Sequence, residues 1–352
     1  MPRRSFYIND SELDDYQVKI INKRTDNSFI VKGCAGSGKS ILALWKAKQI
    51  QNEGKGSWLF VVFTKALKQY MSDGIGQIEL NINNVENYHK CFFWSKDNGS
   101  WEKGDWKKGA FDYVIVDEAQ DFSKDDILLF KSKARKALLL YGDSAQQLYK
   151  FFEDKKTISM EEIGSITKFQ MEQLVFNHRL PKKIARVAQY VNSERDDLED
   201  RCRNEGIEKP KILYYSSSYK QLDAIAEIVK NRNFVDVGIL LRNNLQVKNV
   251  EEYLKSKGIN VEAKVNDNID LNFNSDNPKI MTYHSSKGLQ FEAVFLPDCT
   301  SSDNDDRNPL YVALTRTYQS LYILHSGNLS SFFDTVPGNL YDTSIAGNTE
   351  LL

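Results

Sequence analysis

The chain has 352 residues, 41% hydrophobic and 27% charged, an ordinary globular composition with room for two or three domains. Its net charge of −1 excludes nucleic-acid binding through a global basic field, so any such contact must come from a local groove. The four cysteines (Cys34, Cys91, Cys202, Cys299) and four histidines lack zinc-ligand spacing, and no apolar run approaches the roughly 18 residues of a membrane span. The opening Met-Pro-Arg-Arg-Ser-Phe-Tyr has no apolar signal-peptide core, so a soluble, cytoplasmic protein without a membrane partner is expected.

In chain order, an apolar strand at 28–31 runs into Gly33-Cys-Ala-Gly-Ser-Gly-Lys39-Ser40. A helix-forming stretch leaves it with Ile41, Leu44 and Trp45 on one face. The run fits G-x-x-x-x-G-K-[ST]. Strand, glycine-rich turn and helix start make an anion site in which the backbone of Gly33, Ala35, Gly36, Ser37 and Gly38 approaches phosphates. Lys39 is placed to reach the β/γ oxygens and Ser40 to offer its hydroxyl to Mg²⁺. The motif predicts binding of a nucleoside triphosphate.

Strands are predicted next at 58–63, 113–117 and 137–141, with a surface loop at 95–109. The strand Tyr113-Val-Ile-Val-Asp117-Glu118 ends in adjacent carboxylates. In a parallel sheet that end faces the same crevice as the phosphate loop. Asp117 is therefore expected in the Mg²⁺ shell, and Glu118 is placed to polarise the water that attacks the γ-phosphoryl group. Hydrolysis, rather than binding alone, is the expectation. The stretch 152–166 is polar and reads as irregular, marking a domain boundary. After Pro181, the spacing of Ile184, Val187, Ala188 and Val191 predicts a helix. Further strands are predicted at 212–215, 237–241, 280–283, 293–296 and 321–324, a second surface loop at 265–277, and a loosely held tail over the last twenty or so residues. Alternating strands and amphipathic stretches predict parallel α/β sheets.

Several more segments follow one another over roughly residues 13–325: Leu13-Asp-Asp-Tyr-Gln17, Val62-Phe-Thr64-Lys65, Asn87-Tyr-His89, Tyr141-Gly-Asp143-Ser-Ala-Gln146-Gln-Leu-Tyr149-Lys-Phe151 and Phe176-Asn-His178-Arg179. Met281-Thr-Tyr-His284-Ser-Ser-Lys287-Gly288-Leu-Gln290 and Tyr311-Val-Ala-Leu-Thr315-Arg316 complete the series. In order and wording they resemble the motifs of the UvrD/Rep-like branch of superfamily 1 DNA helicases. The resemblance implies two RecA-like P-loop NTPase lobes, each a parallel sheet flanked by helices, at 1–160 and 161–330. A short insertion at about 68–112 and a tail at 331–352 complete that division. Gln17 is implied to read adenine, and Gln146 to sense the γ-phosphate. Arg179 and Arg316 are implied to act on that phosphate as arginine fingers do. His178 stands where the family stacks a tyrosine on the base, and Gln290 where a glutamate meets the ribose.

On the nucleic-acid side, the resemblance implies contacts from Thr64, Lys65, His89, His284 and Lys287, with Phe151 as the stacking aromatic. By residue type alone Phe151 also suits a core, and His89 a structural role. Trp94, Trp101 and Trp106 read as the cap of a small hydrophobic cluster. The implied activity is that of an ATP-dependent 3′→5′ helicase or translocase on single-stranded DNA. RNA stays open as a substrate, because gripping a backbone and stacking bases do not exclude a 2′-OH. The segments 68–112 and 243–279 are too short for the family's two large insertions, which predicts single-strand binding or translocation over unwinding of long duplexes. The same shortness admits a second reading, a regulatory or sensor ATPase serving a partner such as a nuclease in antiviral defence.

Overall fold

The computed structural model describes residues 13–34, 36–97, 100–143, 157–192, 197–266 and 269–343. Its contacts divide it into two units, one ending at Val175 and the other starting at Phe176.

In the first unit, α1 (Asp15–Asn22), β1 (Phe29–Gly33), α2 (Lys39–Asn52), β2 (Trp58–Val62), α3 (Lys65–Ile75) and β3 (Val85–Asn87) come first. Then follow β4 (Phe92–Asp97), β5 (Ser100–Trp106), β6 (Phe111–Val116), α4 (Lys124–Lys133), β7 (Ala134–Gly142), α5 (Met160–Thr167) and β8 (Gln170–Leu174). Six strands form a parallel sheet in the order β3-β2-β6-β7-β1-β8. Its inner strands are covered on both faces, which is why Trp58-Leu-Phe-Val-Val and Leu138-Leu-Leu-Tyr141 are continuous apolar runs. Leu42, Leu44, Ile50 and Met71 from α2 and α3 pack one face, and Ile127, Phe130 and Ile163 from α4 and α5 the other. Each such side chain contributes about 1.5–3 kcal/mol through burial. Because every strand runs the same way, the segments leaving β1, β2, β3, β6 and β7 emerge along one sheet edge.

Two sequence expectations need correction here. The stretch predicted as an irregular boundary contains α5, started by a reciprocal capping box between Ser159 and Glu162. The unit then continues through β8, which pairs with β1 from Phe29 opposite Gln170 to Gly33 opposite Leu174, so the division falls after Val175. The segment predicted as a surface loop at 95–109 is the antiparallel hairpin of β4 and β5. Trp94 and Trp106 pack against the cluster that contains Phe92 and Phe130, as expected of capping aromatics. The Trp101 side chain lies outside the described part.

The second unit contains β9 (Asn177–Pro181), α6 (Lys182–Val191), α7 (Leu198–Arg201), β10 (Cys202–Asn204), β11 (Lys211–Tyr214), α8 (Ser218–Arg232) and β12 (Val237–Leu241). It continues with α9 (Asn244–Ser256), β13 (Glu262–Ala263), β14 (Lys279–Thr282), β15 (Phe291–Leu296), α10 (Asn304–Leu314) and β16 (Thr317–His325). Its six-stranded sheet, β11-β16-β15-β12-β14-β13, is also parallel, and β9 and β10 form a separate parallel pair. Helix α6 buries Ile184, Val187, Ala188 and Val191, the face predicted from their spacing. The tail expectation fails over its described part. Phe332, Phe333 and Val336 are buried, and Asp342 brackets the β11 edge by donating to the Pro210 carbonyl and accepting from Ile212 N–H. Among the described residues no helix is long and apolar enough to cross a membrane.

Glu86 of β3 accepts hydrogen bonds from Lys68 of α3 and from Lys108, both at 2.8 Å. Burial alone would raise its pKa, but the two lysine hydrogen bonds outweigh it and hold the carboxyl at about 2. A carboxylate whose folded pKa is depressed stabilises the fold above its unfolded pKa, and that stability is lost as pH falls through the folded value. Glu86→Gln is expected to lower the melting temperature at pH 7 and to flatten the acid-induced loss between about pH 4.5 and 2. Thermal melts of both proteins across that range check it.

Candidate nucleotide site

The phosphate loop leaves β1 at Gly33 and enters α2 at Gly38. Gly36 and Gly38 have φ of 72° and 88°, the left-handed region that a side chain resists. A Cβ on Gly33 would lie 2.5 Å from Ser37 Oγ, and one on Gly38 would lie 2.9 Å from Gln17 Nε2. The loop is therefore closed down on itself and on α1. Lys39 is 7% exposed, and its ammonium donates to the Gly33 and Cys34 carbonyls at 2.8 and 2.9 Å, so the loop folds around its own cation.

Gln17 is fixed from two sides. It forms a reciprocal capping box with Asp14 at the start of α1, and its Nε2 donates to the Ser37 carbonyl at 3.0 Å. The far end of α1 is tied to α2 by Lys46, whose buried ammonium donates to the Ile21 carbonyl at 2.6 Å and to that of Lys23. Burial, then the nearby charge of Lys55, lowers the Lys46 pKa to about 8.

One strand removed from β1, the end of β6 delivers Asp117 and Glu118. Asp117 is fully buried, and its Oδ1 accepts from Glu118 N–H at 3.1 Å. Burial, then the charge of Glu118, raises its pKa, opposed by a hydrogen bond from Ser40 and the charge of Lys39. The four residues are thus neighbours across β7. Glu118 has φ of 55° and is 6% exposed; Gln120 Nε2 donates to its carboxylate at 2.7 Å. The same Gln120 accepts from Asp143 N–H at 2.9 Å through Oε1. Gly142 makes room for it, since a Cβ there would lie 2.5 Å from that oxygen. Gln120 thus bridges the segments leaving β6 and β7. No motif above gives it a role, although it stands two residues after Glu118.

Two buried oxygens in this cluster, Ser37 Oγ and Asp117 Oδ2, have no hydrogen-bond partner among the described residues. Hydroxyl and carboxylate oxygens beside a lysine and a helix N-terminus fit a magnesium–triphosphate, with Ser40 and Asp117 as the residues that would hold the metal. No group of three or more His, Cys, Asp or Glu that could hold a metal occurs among the described residues, so an ion here would depend on phosphate oxygens as well.

The other sequence candidates divide by position. Thr64 and Lys65 follow β2, and His89 follows β3, so they lie further along the same edge as the phosphate loop. Thr64 Oγ1 accepts from Leu67 N–H at 3.1 Å and starts α3. The His89 ring packs at 5.5 Å from Trp94, whose Nε1 donates to the His89 carbonyl at 2.6 Å. In the second unit, Asn177 Oδ1 accepts from both Arg179 and Leu180 N–H at 2.9 Å, and Arg179 is 7% exposed. His178 sits edge-on to Phe176 at 6.5 Å. Arg316, 2% exposed, donates to the Val312 carbonyl at 2.9 Å and to Thr315 Oγ1 at 3.0 Å. Gln290 and Arg316 immediately precede β15 and β16, adjacent strands joined there by Phe291 N–H donating to the Arg316 carbonyl at 2.9 Å. His284 follows β14 at the opposite sheet edge, and burial lowers its pKa. Lys287, between the two edges, is buried. Ala35, Gln146 and Phe151 lie outside the described residues.

The family described as "UvrD-like helicase C-terminal domain" matches residues 279–324, and the one described as "AAA domain" matches residues 17–152. Among curated proteins, the chain is 30% identical over 167 residues to the ATP-dependent DNA helicase PcrA of Bacillus subtilis, covering 43% of this chain and 22% of that protein. It is 25% identical over 116 residues to DNA helicase II of Rickettsia typhi, covering 29% and 17%. The chain thus spans about a fifth of the length of the curated relatives it matches. Among solved structures it is similar to the PRRSV helicase, with TM-score 0.44 and 17% identity over 88% of this chain and 54% of that one. The resemblance read from the sequence motifs is borne out by the two family matches and by the relatives.

Replacing Gln120 by alanine removes one hydrogen bond from the Glu118 carboxylate and one from the Asp143 amide. Turnover of ATP is expected to fall roughly tenfold or more, with nucleotide affinity little changed. Steady-state hydrolysis together with equilibrium nucleotide binding measures the two separately.

Proposed function

We propose that this chain, which resembles the UvrD/Rep-like helicases in both of its units, hydrolyses ATP to ADP and phosphate to move on single-stranded DNA. The observation that carries the reading is the meeting of Lys39, Ser40, Asp117 and Glu118 around two buried, unpartnered oxygens. Such a pocket lowers its own free energy by accepting a divalent cation with a triphosphate.

In this reading the loop N–H groups and Lys39 hold the β/γ oxygens. Lys39 exchanges its two neutral carbonyl acceptors for anionic phosphate oxygens, so that both partners of the bond are charged. Gln17, locked between Asp14 and Ser37, orients the base. Magnesium, when bound with the nucleotide through Ser40 and Asp117, supplies positive charge against the developing charge of the transferred group. Glu118, steered by Gln120, orients the attacking water and accepts its proton. Gln146 senses the γ-phosphate, and Arg179 and Arg316 supply the positive charge that the family draws from its second lobe. His178 and Gln290 are the proposed base and ribose contacts.

Thr64, Lys65 and His89 are proposed contacts to the DNA strand, with His284, Lys287 and Phe151 completing the track and Phe151 stacking a base. Polarity is proposed as 3′→5′, as the family resemblance implies. Cytoplasmic action is proposed with it. A second reading is favoured by one observation: the described residues of 243–279 all belong to the second unit, as α9, β13 and the segment leading to β14. In that reading the chain is a nucleic-acid-stimulated regulatory ATPase working with a partner such as a nuclease in antiviral defence.

ATP hydrolysis measured side by side with single-stranded DNA, RNA, duplex DNA and no nucleic acid tests the proposal. Stimulation chiefly by single-stranded DNA is expected; indifference to every nucleic acid would reject a motor. Glu118→Gln should still bind ATP but lose at least about a hundredfold in turnover, and equal rates for it and the wild type would remove Glu118 from its role. Lys39→Ala is expected to abolish binding or hydrolysis, and Arg316→Ala to slow hydrolysis with a smaller loss of affinity.

A further inference from the structure

The β4–β5 hairpin stands where the resemblance leaves room only for a small insertion, and its two faces differ sharply. Phe92, Trp94 and Trp106 turn inward to the core, whereas Phe93 is 61% exposed. That exposure is built into the backbone. Phe92 pairs with Trp106 and Trp94 with Lys103, so Gly104 and Asp105 together oppose Phe93 in a β-bulge. Gly104 eases the fit, since a Cβ there would lie 3.1 Å from the Phe93 carbonyl, a tight contact with backbone. The Lys107 ammonium lies 5.8 Å from the centre of the Phe93 ring.

The hairpin is also held firmly beside the segment proposed to touch the strand. Trp94 donates to the His89 carbonyl and packs on its ring, and Lys103 donates to Tyr88 Oη at 3.0 Å and to Asp126 at 2.8 Å. Lys90, Lys96 and Lys107 are exposed and make no ion pair among the described residues, against exposed carboxylates at Glu102 and Asp105. An exposed aromatic ring with a lysine beside it, on a rigid support next to His89, matches the chemistry that holds an unpaired base and its phosphate.

We infer that Phe93 is a stacking platform for one base of a single-stranded nucleic acid, with Lys107 meeting the adjoining phosphate. The inference rests on the proposed function, since it extends the strand track from His89 onto the hairpin. Phe93 carries the contact without repacking, because bulge and Gly104 already present the ring outward. The inward Trp94 and Trp106 supply the rigidity and not the contact.

Anisotropy titrations with labelled oligothymidylate, and with a matched strand carrying abasic positions, test this on the full chain. Phe93→Ala is expected to bind oligothymidylate at least about fivefold more weakly, and Phe93→Trp to bind like the wild type. The abasic strand should reduce the difference between wild type and Phe93→Ala, because no base remains to stack. Lys107→Ala should reduce the salt slope of log K by about one. Because the ring is exposed, Phe93→Ala should melt at the wild-type temperature. Equal affinity of Phe93→Ala and wild type for oligothymidylate overturns the inference and leaves the ATP-driven reading intact. A wild-type chain that binds no single strand overturns both.

Discussion

The first unit is organised around a carboxylate that has no access to water. Asp117 is fully buried at the end of β6, and an ionised carboxylate removed from solvent costs several kcal/mol unless charge and hydrogen bonds offset it. The chain provides part of the offset: the Glu118 amide, the Ser40 hydroxyl and the nearby charge of Lys39. One oxygen is left over, and so is the Ser37 hydroxyl. The order β6-β7-β1 brings these groups together, because parallel strands deliver every following turn to the same edge. The loop glycines, the capping box at Asp14 and the Gln120 bridge then read as devices that keep this edge in one geometry.

Much of the architecture was legible because the inner strands are covered on both sides and so consist of unbroken apolar runs. The strands at 58–62, 237–241 and 291–296 are of this kind. The strands that escaped notice lie at sheet margins or are very short. In β8 only Glu172 and Leu174 are buried, and β3 is Val-Glu-Asn, so neither carries an apolar pattern. Glu172 stays in place through ion pairs with Lys19 and Lys23 at 2.7 Å, a tertiary cause that no local sequence window contains. The helix at 160–167 did have a local signal, the Ser159–Glu162 capping box, hidden within a stretch otherwise polar. The tail is held by main-chain bonds to the β11 edge, which composition does not report.

The site was legible in a different way. Lys39, Ser40, Asp117 and Glu118 were found through motif spacing, and the fold gathers them because a strand end and a helix start each fix one of the pair. Gln120 was not assigned because its importance depends on a partner on another strand, the amide of Asp143. Likewise the hairpin looked like a loop because its inward residues Phe92, Trp94 and Trp106 are aromatics, set among Gly104, lysines and the exposed Phe93. Aromatic edge-to-face contacts among Tyr88, Phe92, Phe122 and Phe130, at 5.0–6.4 Å, fasten it to the sheet's second face. Rigidity at that rim is thus supplied by rings rather than by aliphatic packing.

Glu118 is the sole buried residue other than glycine with a positive φ among those described. For a side chain of this size the left-handed conformation costs of the order of 1–2 kcal/mol. Glycine would adopt the same turn without penalty, yet it has no carboxylate. The protein therefore carries a small, permanent deficit in folding free energy at the point where chemistry is proposed to occur. Thermal robustness and the proposed turnover pull this one position in opposite directions, so a lineage selected for heat tolerance alone would be drawn to discard the carboxylate proposed as its catalytic base.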